Sequence, residues 1–186
     1  MNLDSTRRSA VDALTSAAPA MTHANCLTDC NETRKVGVKG PCALAWLREQ
    51  GVSNPPDLYD VTRVGDCTLV VRVGADEVIV ESHIPSDFAD RLDNALIDRA
   101  PGVYRVEQEL ASFLLSGAAA SSVWHQTCGV DLVNEPPNRV VYTRVAGISC
   151  GVIPVGADTD RGYRIWVDYS FAPELWSTLV EIVRDL

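Results

Sequence analysis

The apolar positions along this chain change period several times, and each change marks an element. Val36 to Lys39 predicts a strand. Gly40-Pro41 then opens a helix to about Gln50, with Pro tolerated at the first helical position, and Gly51 ends it. After an Asn54-Pro55-Pro56 loop, runs rich in Val and Ile near 59–64, 67–73 and 77–82 predict strands punctuated by Gly65 and Gly74. Pro85 starts a second helix, with Phe88, Leu92 and Leu96 on one face. The order then recurs: a long strand or hairpin over 102–116, a helix over 117–128 and an Asn134-Glu135-Pro136-Pro137-Asn138 loop. Strands near 139–146, 148–155 and 162–168 follow, and a helix from 171 buries Leu175, Leu179 and Ile182.

The recurrence is also one of residues. Thr62-Arg63-Val64 returns as Thr143-Arg144-Val145, and Val73-Gly74-Ala75-Asp76 as Val155-Gly156-Ala157-Asp158. Asp87-Phe88-Ala89-Asp90-Arg91-Leu92 is echoed by Ser170-Phe171-Ala172-Pro173-Glu174-Leu175, and Val38-Lys39-Gly40-Pro41-Cys42-Ala43 by Leu115-Ser116-Gly117-Ala118-Ala119-Ala120. The blocks keep their order at offsets of about eighty residues, as a duplicated supersecondary unit would. Each half alone would bury too little apolar surface, so two halves on one core are expected. The predicted fold is α+β: β-α-β-β-β-α halves, about 35–99 and 102–186, related by a pseudo-twofold within a single domain over 25–186. Residues 1–24, rich in Ala, Ser and Thr, are expected to form a flexible arm.

Composition narrows the partners. The 186 residues are 46% hydrophobic and 22% charged, ordinary for a globular chain. A net charge of −9, with lysine only at 35 and 39, disfavours nucleic acid and anionic membrane. No apolar run is long enough to span a bilayer, and the start lacks an export leader, so a cytoplasmic protein is expected. The six cysteines, 26, 30, 42, 67, 128 and 150, are then expected as thiols. His23, Cys26 and Cys30 form H-x2-C-x3-C, which could hold zinc with a fourth ligand. Without a second ligand pair they are read as residues of the arm, and no metal is expected.

Catalytic patterns are missing. Gly37-Val38-Lys39-Gly40 lacks the glycine spacing of a dinucleotide site, and no P-loop is present. His83 falls at a strand end. His125 precedes Cys128 by one helical turn, which offers proximity without an oxyanion hole. No catalytic residue is assigned. Trp46, Trp124, Trp166 and Trp176 are expected in the core, with Trp176, Tyr169 and Phe171 also candidates for anchoring a protein interface.

Arg34 to Leu47 (RKVGVKGPCALAWL) resembles the opening of the aminomethyltransferase-like, folate-binding family, which includes the glycine-cleavage T protein. Tyr163 to Trp176 (YRIWVDYSFAPELW) resembles more narrowly the gamma subunits of heterotetrameric sarcosine oxidases. The resemblance runs from about Thr33 to the C-terminus and rests on glycines and apolar anchors. It implies the duplicated folate-binding-domain fold. It also implies a small partner of larger subunits that carry flavin, NAD and folate in an N-demethylating oxidase passing a one-carbon unit to tetrahydrofolate. This chain is then expected to hold no cofactor of its own, with tetrahydrofolate the one open possibility. A pterin wants a flat slot and a carboxylate, and its glutamate tail wants arginine. Asp66, Arg63 and Glu107 are the folate candidates, Asp66 standing near the acidic position of folate-binding relatives, and Arg144 is the counterpart of Arg63. Two readings remain open: a non-catalytic subunit of a flavin-dependent, sarcosine oxidase-like complex, or a free-standing folate-binding aminomethyltransferase-like protein.

Overall fold

A computed structural model describes residues 11, 20–21, 25–30, 32–83, 85–98, 100–118, 120–156 and 161–186. In chain order the elements are β1 (Ala20–Met21), β2 (Asn25–Asp29), β3 (Arg34–Lys39), α1 (Ala43–Glu49), β4 (Val61–Val64), β5 (Thr68–Gly74), β6 (Glu77–Ser82) and α2 (Phe88–Ala95). They continue as β7 (Tyr104–Val106), β8 (Leu110–Gly117), α3 (Ala120–Thr127), β9 (Val141–Val145), β10 (Ile148–Val155), β11 (Gly162–Asp168) and α4 (Ala172–Asp185). Short 3-10 turns cover Leu96–Asp98 and Tyr169–Phe171. The fold is α+β, with two antiparallel sheets.

The chain divides into two compact units. One holds Thr33–Gln108 with Asn138–Val140, and its sheet runs β4-β5-β6-β3-β7. Val36, Val38, Val70, Val78 and Val80 point to one face, as strand alternation requires, and form a core with Trp46 and Leu47 of α1 and Ala89 and Leu92 of α2. Ser82 Oγ accepts from Ala89 N at 3.1 Å and from or to Thr68 Oγ1 at 3.0 Å, which ties the start of α2 to the sheet.

The other unit holds the described residues up to Glu32, with Glu109–Pro137 and Val141–Leu186. Its sheet runs β1-β2-β8-β11-β10-β9. Phe113, Leu115, Val152, Tyr163 and Ile165 meet Val123 and Trp124 of α3 and Leu175, Trp176, Leu179 and Val183 of α4. The α4 stripe at i, i+4 and i+8 explains why this segment is helical and which face it buries. Each fully buried leucine stabilises the unit by about 2 kcal/mol. The Phe113 and Trp176 rings meet tilted with centroids 5.1 Å apart, and Trp124 and Tyr163 meet edge to face, also at 5.1 Å.

Both sheets share an order: β4-β5-β6-β3 in one matches β9-β10-β11-β8 in the other. Both units turn from strand to helix through a glycine in the left-handed region, Gly40 at φ 123° and Gly117 at φ 111°. At Gly40 a Cβ would lie 2.4 Å from Gly102 O, so no other residue fits that turn.

Several boundaries differ from the sequence expectation. The segment 102–116 is two strands in two sheets, β7 beside β3 and β8 beside β11. Pro41 stands before Cys42, the residue capping α1, and so precedes the helix rather than opening it. Pro85 likewise precedes α2, capped at Asp87. Of the expected arm, Val11 is fully buried in the core of the second-described unit and Ala20–Met21 pairs with β2, so at these positions the chain packs. The rest of residues 1–24, and Ala157-Asp158 of the second repeat block, lie outside the described residues.

Candidate functional site

The two-residue turn Ala146-Gly147, with φ 49° and 83°, has the double positive geometry of the tightest hairpins and fixes the β9–β10 register. That register, with those of β10–β11 and β11–β8, orders the sheet face turned away from the helices. One row across the strands is Tyr142, Gly151, Trp166, Ser112. The next is Arg144, Ser149, Asp168, Leu110. Gly151 and Trp166 are buried, Trp166 at 1% exposure, while Tyr142 on the edge strand β9 is 52% exposed. An open cleft of about 490 Å³ lies here, lined by Leu110, Tyr142, Thr143, Arg144, Ser149, Cys150, Gly151, Trp166 and Asp168. Its volume is within the range of small-ligand pockets.

The charges of the cleft are unequal in availability. Asp168 Oδ1 accepts from Ser170 N at 2.9 Å and from Ser170 Oγ at 2.5 Å. These bonds hold its carboxyl below the usual carboxylate range. Arg144 is exposed and enters no ion pair among the described residues. Cys150 is 3% exposed, and burial pushes its thiol up to about 12. It therefore stays protonated near neutral pH and is inert as a nucleophile. The cleft presents an exposed tyrosine ring and an exposed guanidinium, which suit an anion at Arg144.

The folate candidates lie in the other unit and are not brought together. Arg63 is exposed on β4 and Asp66 is exposed in the β4–β5 turn. Glu107 follows β7 and pairs with Arg105 at 2.9 Å. Strands β4 and β7 are opposite edges of a five-stranded sheet, about 19 Å apart, too far for one pterin to touch both. Arg105 also pairs with Asp93, and the hydrogen bonds to Asp93 and Glu107 raise its pKa.

The remaining candidates fall as follows. His83 and His125 are exposed. Cys128 Sγ lies 3.6 Å from Thr143 Oγ1 and accepts from Val130 N. His23 lies outside the described residues, and no group of three potential metal ligands occurs among those described. Cys30, Cys42, Cys67, Cys128 and Cys150 form no disulfide. Tyr169 and Phe171 are exposed, at 42% and 50%, where a partner could reach them. Trp176 is 4% exposed against Phe113, so it is a core residue rather than an interface anchor: the amphipathic phase of α4 turns it inward. The cleft was missed in the sequence. Its signal was period-two alternation placing Tyr142, Gly151 and Trp166 on one face, but only the register brings them side by side.

No family model matches the chain. The curated aminomethyltransferase of Moorella thermoacetica (strain ATCC 39073 / JCM 9320) is 25% identical over 177 residues, covering 87% of this chain. The chain spans about half, 48%, of that relative's length. A chain of the heterotetrameric sarcosine oxidase from Corynebacterium sp. U-96, solved in complex with pyrrole 2-carboxylate, matches with a TM-score of 0.77 and 24% identity, covering 96% of this chain and 95% of that one. The glycine cleavage system aminomethyltransferase T from Bartonella henselae matches with a TM-score of 0.63 and 13% identity, covering 89% of this chain and 48% of that one. The chain is therefore aminomethyltransferase-like in fold, an architecture it shares with a chain of a heterotetrameric sarcosine oxidase.

Proposed function

We propose that this chain is a small, non-catalytic subunit that docks onto larger flavoprotein chains in a sarcosine oxidase-like complex. The observation that carries this reading is the nearly end-to-end match, 96% and 95%, with one chain of a heterotetrameric oxidase. Aminomethyltransferases are matched over only 48% of their length, as a part would match a larger whole. In this reading the partners hold flavin and NAD, oxidise an N-methyl amine in the cytoplasm and pass its one-carbon unit to tetrahydrofolate. This chain contributes a docking surface that includes Tyr169 and Phe171, in an interface burying at least ~1,200 Å² in total. The common strand order and the paired glycines at Gly40 and Gly117 also support descent of the two units from one duplicated half.

Co-expression of the tagged chain with neighbouring flavoprotein chains tests the proposal. A yellow complex that oxidises sarcosine is expected, while the lone chain is colourless and inert. Turnover of an N-methyl amine by the lone chain would sink it. The second reading, a folate-binding protein in its own right, is favoured by the 25% identity to an aminomethyltransferase. It places the pterin at Asp66 and requires tetrahydrofolate binding that Asp66→Asn weakens by about 1–3 kcal/mol.

A further inference from the structure

We infer that the turn between β11 and α4 docks by taking an arginine of the partner chain, its guanidinium set against Tyr169 and Phe171 and paired with the carboxylates of Glu109 and Glu174. The inference rests on the docking role proposed above and adds the chemistry of the residue that the partner supplies. Three observations carry it.

The first is exposure. Tyr169 and Phe171 flank Ser170 in the 3-10 turn, 42% and 50% exposed, outside the core that α4 builds with Leu175 and Trp176. The second is the placement of charge. Tyr169 N donates to Glu109 O at 3.0 Å, continuing the ladder that pairs Asp168 with Leu110, so Tyr169 and Glu109 stand opposite one another. Phe171 caps α4 and Glu174 lies in its first turn, three residues on, which makes them neighbours on the helix surface. Each exposed ring therefore has an exposed carboxylate beside it. The third is the missing counter-charge. In the unit of Thr33–Gln108, acids at the surface are matched: Asp90 meets Arg34 at 2.8 Å, Glu77 meets Lys39 at 2.8 Å and Glu107 meets Arg105 at 2.9 Å. Glu109, Asp168 and Glu174 enter no ion pair among the described residues. A guanidinium suits both parts of this surface. Its flat face stacks on an aromatic ring, and its fork of N–H donors pairs with a carboxylate, whereas lysine offers a point charge with no plane to stack. Glu174 and Asp168 also offset the partial positive charge at the start of α4, so a cation is not repelled there. At longer range the net charge of −9 draws a basic partner surface towards the chain.

The test compares affinity for the co-expressed flavoprotein chains. Wild type is set beside Phe171→Ala, the double variant Glu109→Gln/Glu174→Gln and Glu181→Gln, an exposed acid farther along α4. The changed side chains are exposed, so thermal melts of the variants are expected to stay within a few degrees of wild type. Glu109→Gln alone repeats the test without touching a helix end. Phe171→Ala and the double variant should each bind at least roughly tenfold more weakly, and Glu181→Gln should bind as wild type does. Raising salt from about 0.1 M to about 0.5 M should weaken wild-type binding several-fold and the double variant far less, a dependence that a merely structural role for these carboxylates does not produce. A yellow wild-type complex whose affinity and salt dependence neither Phe171→Ala nor the double variant changes overturns the inference and leaves the proposed function standing. A loss from Glu181→Gln as large as that from the double variant also overturns it, since net charge rather than this turn would then be at work. A wild-type chain that enters no flavin-bearing complex overturns the proposed function, and the inference with it.

Discussion

The helix-distal faces of the two sheets can be laid over one another residue by residue, and their contents differ. Where one sheet has Tyr142, Gly151, Trp166 and Ser112 in a row, the other has Val61, Val71, Ile79 and Gly37. Where one has Arg144, Ser149, Asp168 and Leu110, the other has Arg63, Leu69, Glu81 and Lys35. The second set is closed chemistry. Val71, Ile79 and Leu69 are buried, and Lys35 Nζ meets Glu81 at 3.4 Å with both side chains almost wholly buried and Thr33 Oγ1 a further acceptor at 3.0 Å. The first set is mixed: Gly151, Trp166 and Ser112 are buried, while Tyr142, Arg144, Ser149 and Asp168 are exposed and Arg144 enters no ion pair among the described residues. One backbone pattern thus supports a buried ion pair in one unit and exposed polar groups in the other, and the difference lies in a few residues at matched positions.

The largest expected effect tests whether the filled face depends on its ion pair. Glu81→Gln leaves Lys35 buried without its counter-charge and should lower unfolding free energy by about 3–5 kcal/mol. The double change Lys35→Met/Glu81→Leu should recover most of that loss, because two well-packed apolar groups need no pairing. Denaturant melts of all three chains decide it, and equal losses in single and double variants would show that packing, not charge, was disturbed.

A smaller effect comes from placing a glycine in the filled face, as Gly151 stands in the matched row. Val71→Gly removes a fully buried side chain and loosens the strand, at a cost of about 3 kcal/mol. A loss under about 1 kcal/mol would mean that the filled face relaxes freely and that the contrast is weak.

Cys150 occupies the place that Val70 holds in the other sheet, on the helix side. Its folded pKa, about 12, lies above the ordinary 9.0. The unfolded chain therefore loses this proton first as pH rises. Stability from this group is complete below about pH 9 and falls toward pH 12 by about 1.4 kcal/mol per unit. Urea melts of Cys150→Val across that window should show a shallower alkaline decline than wild type, and identical slopes would place the alkaline sensitivity elsewhere.

The smallest effect belongs to Arg144. Arg144→Gln should change stability by less than about 1 kcal/mol, since it alters an exposed cation that enters no ion pair among the described residues. Denaturant melts check this, and a loss above about 2 kcal/mol would show that Arg144 holds the sheet edge together.

Much of this architecture was legible before any coordinates. Runs rich in Val and Ile, set off by glycines, located β4, β5 and β6 to within a few residues, the repeat did the same for β9, β10 and β11, and Leu175 and Leu179 announced the buried face of α4. The paired blocks foretold a β-α-β-β-β-α order, which each unit contains together with further strands, β7 in one and β1 and β2 in the other. Trp176 was legible as core and ambiguous as anchor, since periodicity gives a face but not what covers it. Segment 102–116 was not legible as two strands, because β7 and β8 take their hydrogen bonds from strands far away in the chain. Nor was β2, whose partner β8 lies about ninety residues on and whose own sequence carries little strand signal.

The sequence by itself determined the strand runs, the helical stripes and the net charge of −9, whereas the need for glycine at Gly40 came from the approach of Gly102 O. Tertiary structure alone decided which strands lie side by side. Register brought Tyr142, Gly151 and Trp166 from distant positions into one row beside the cleft, and it set Arg63 and Glu107 at opposite edges of a sheet. The physical reason is that a strand's own residues fix which side each side chain takes, whereas its neighbours are chosen by hydrogen bonds between distant segments.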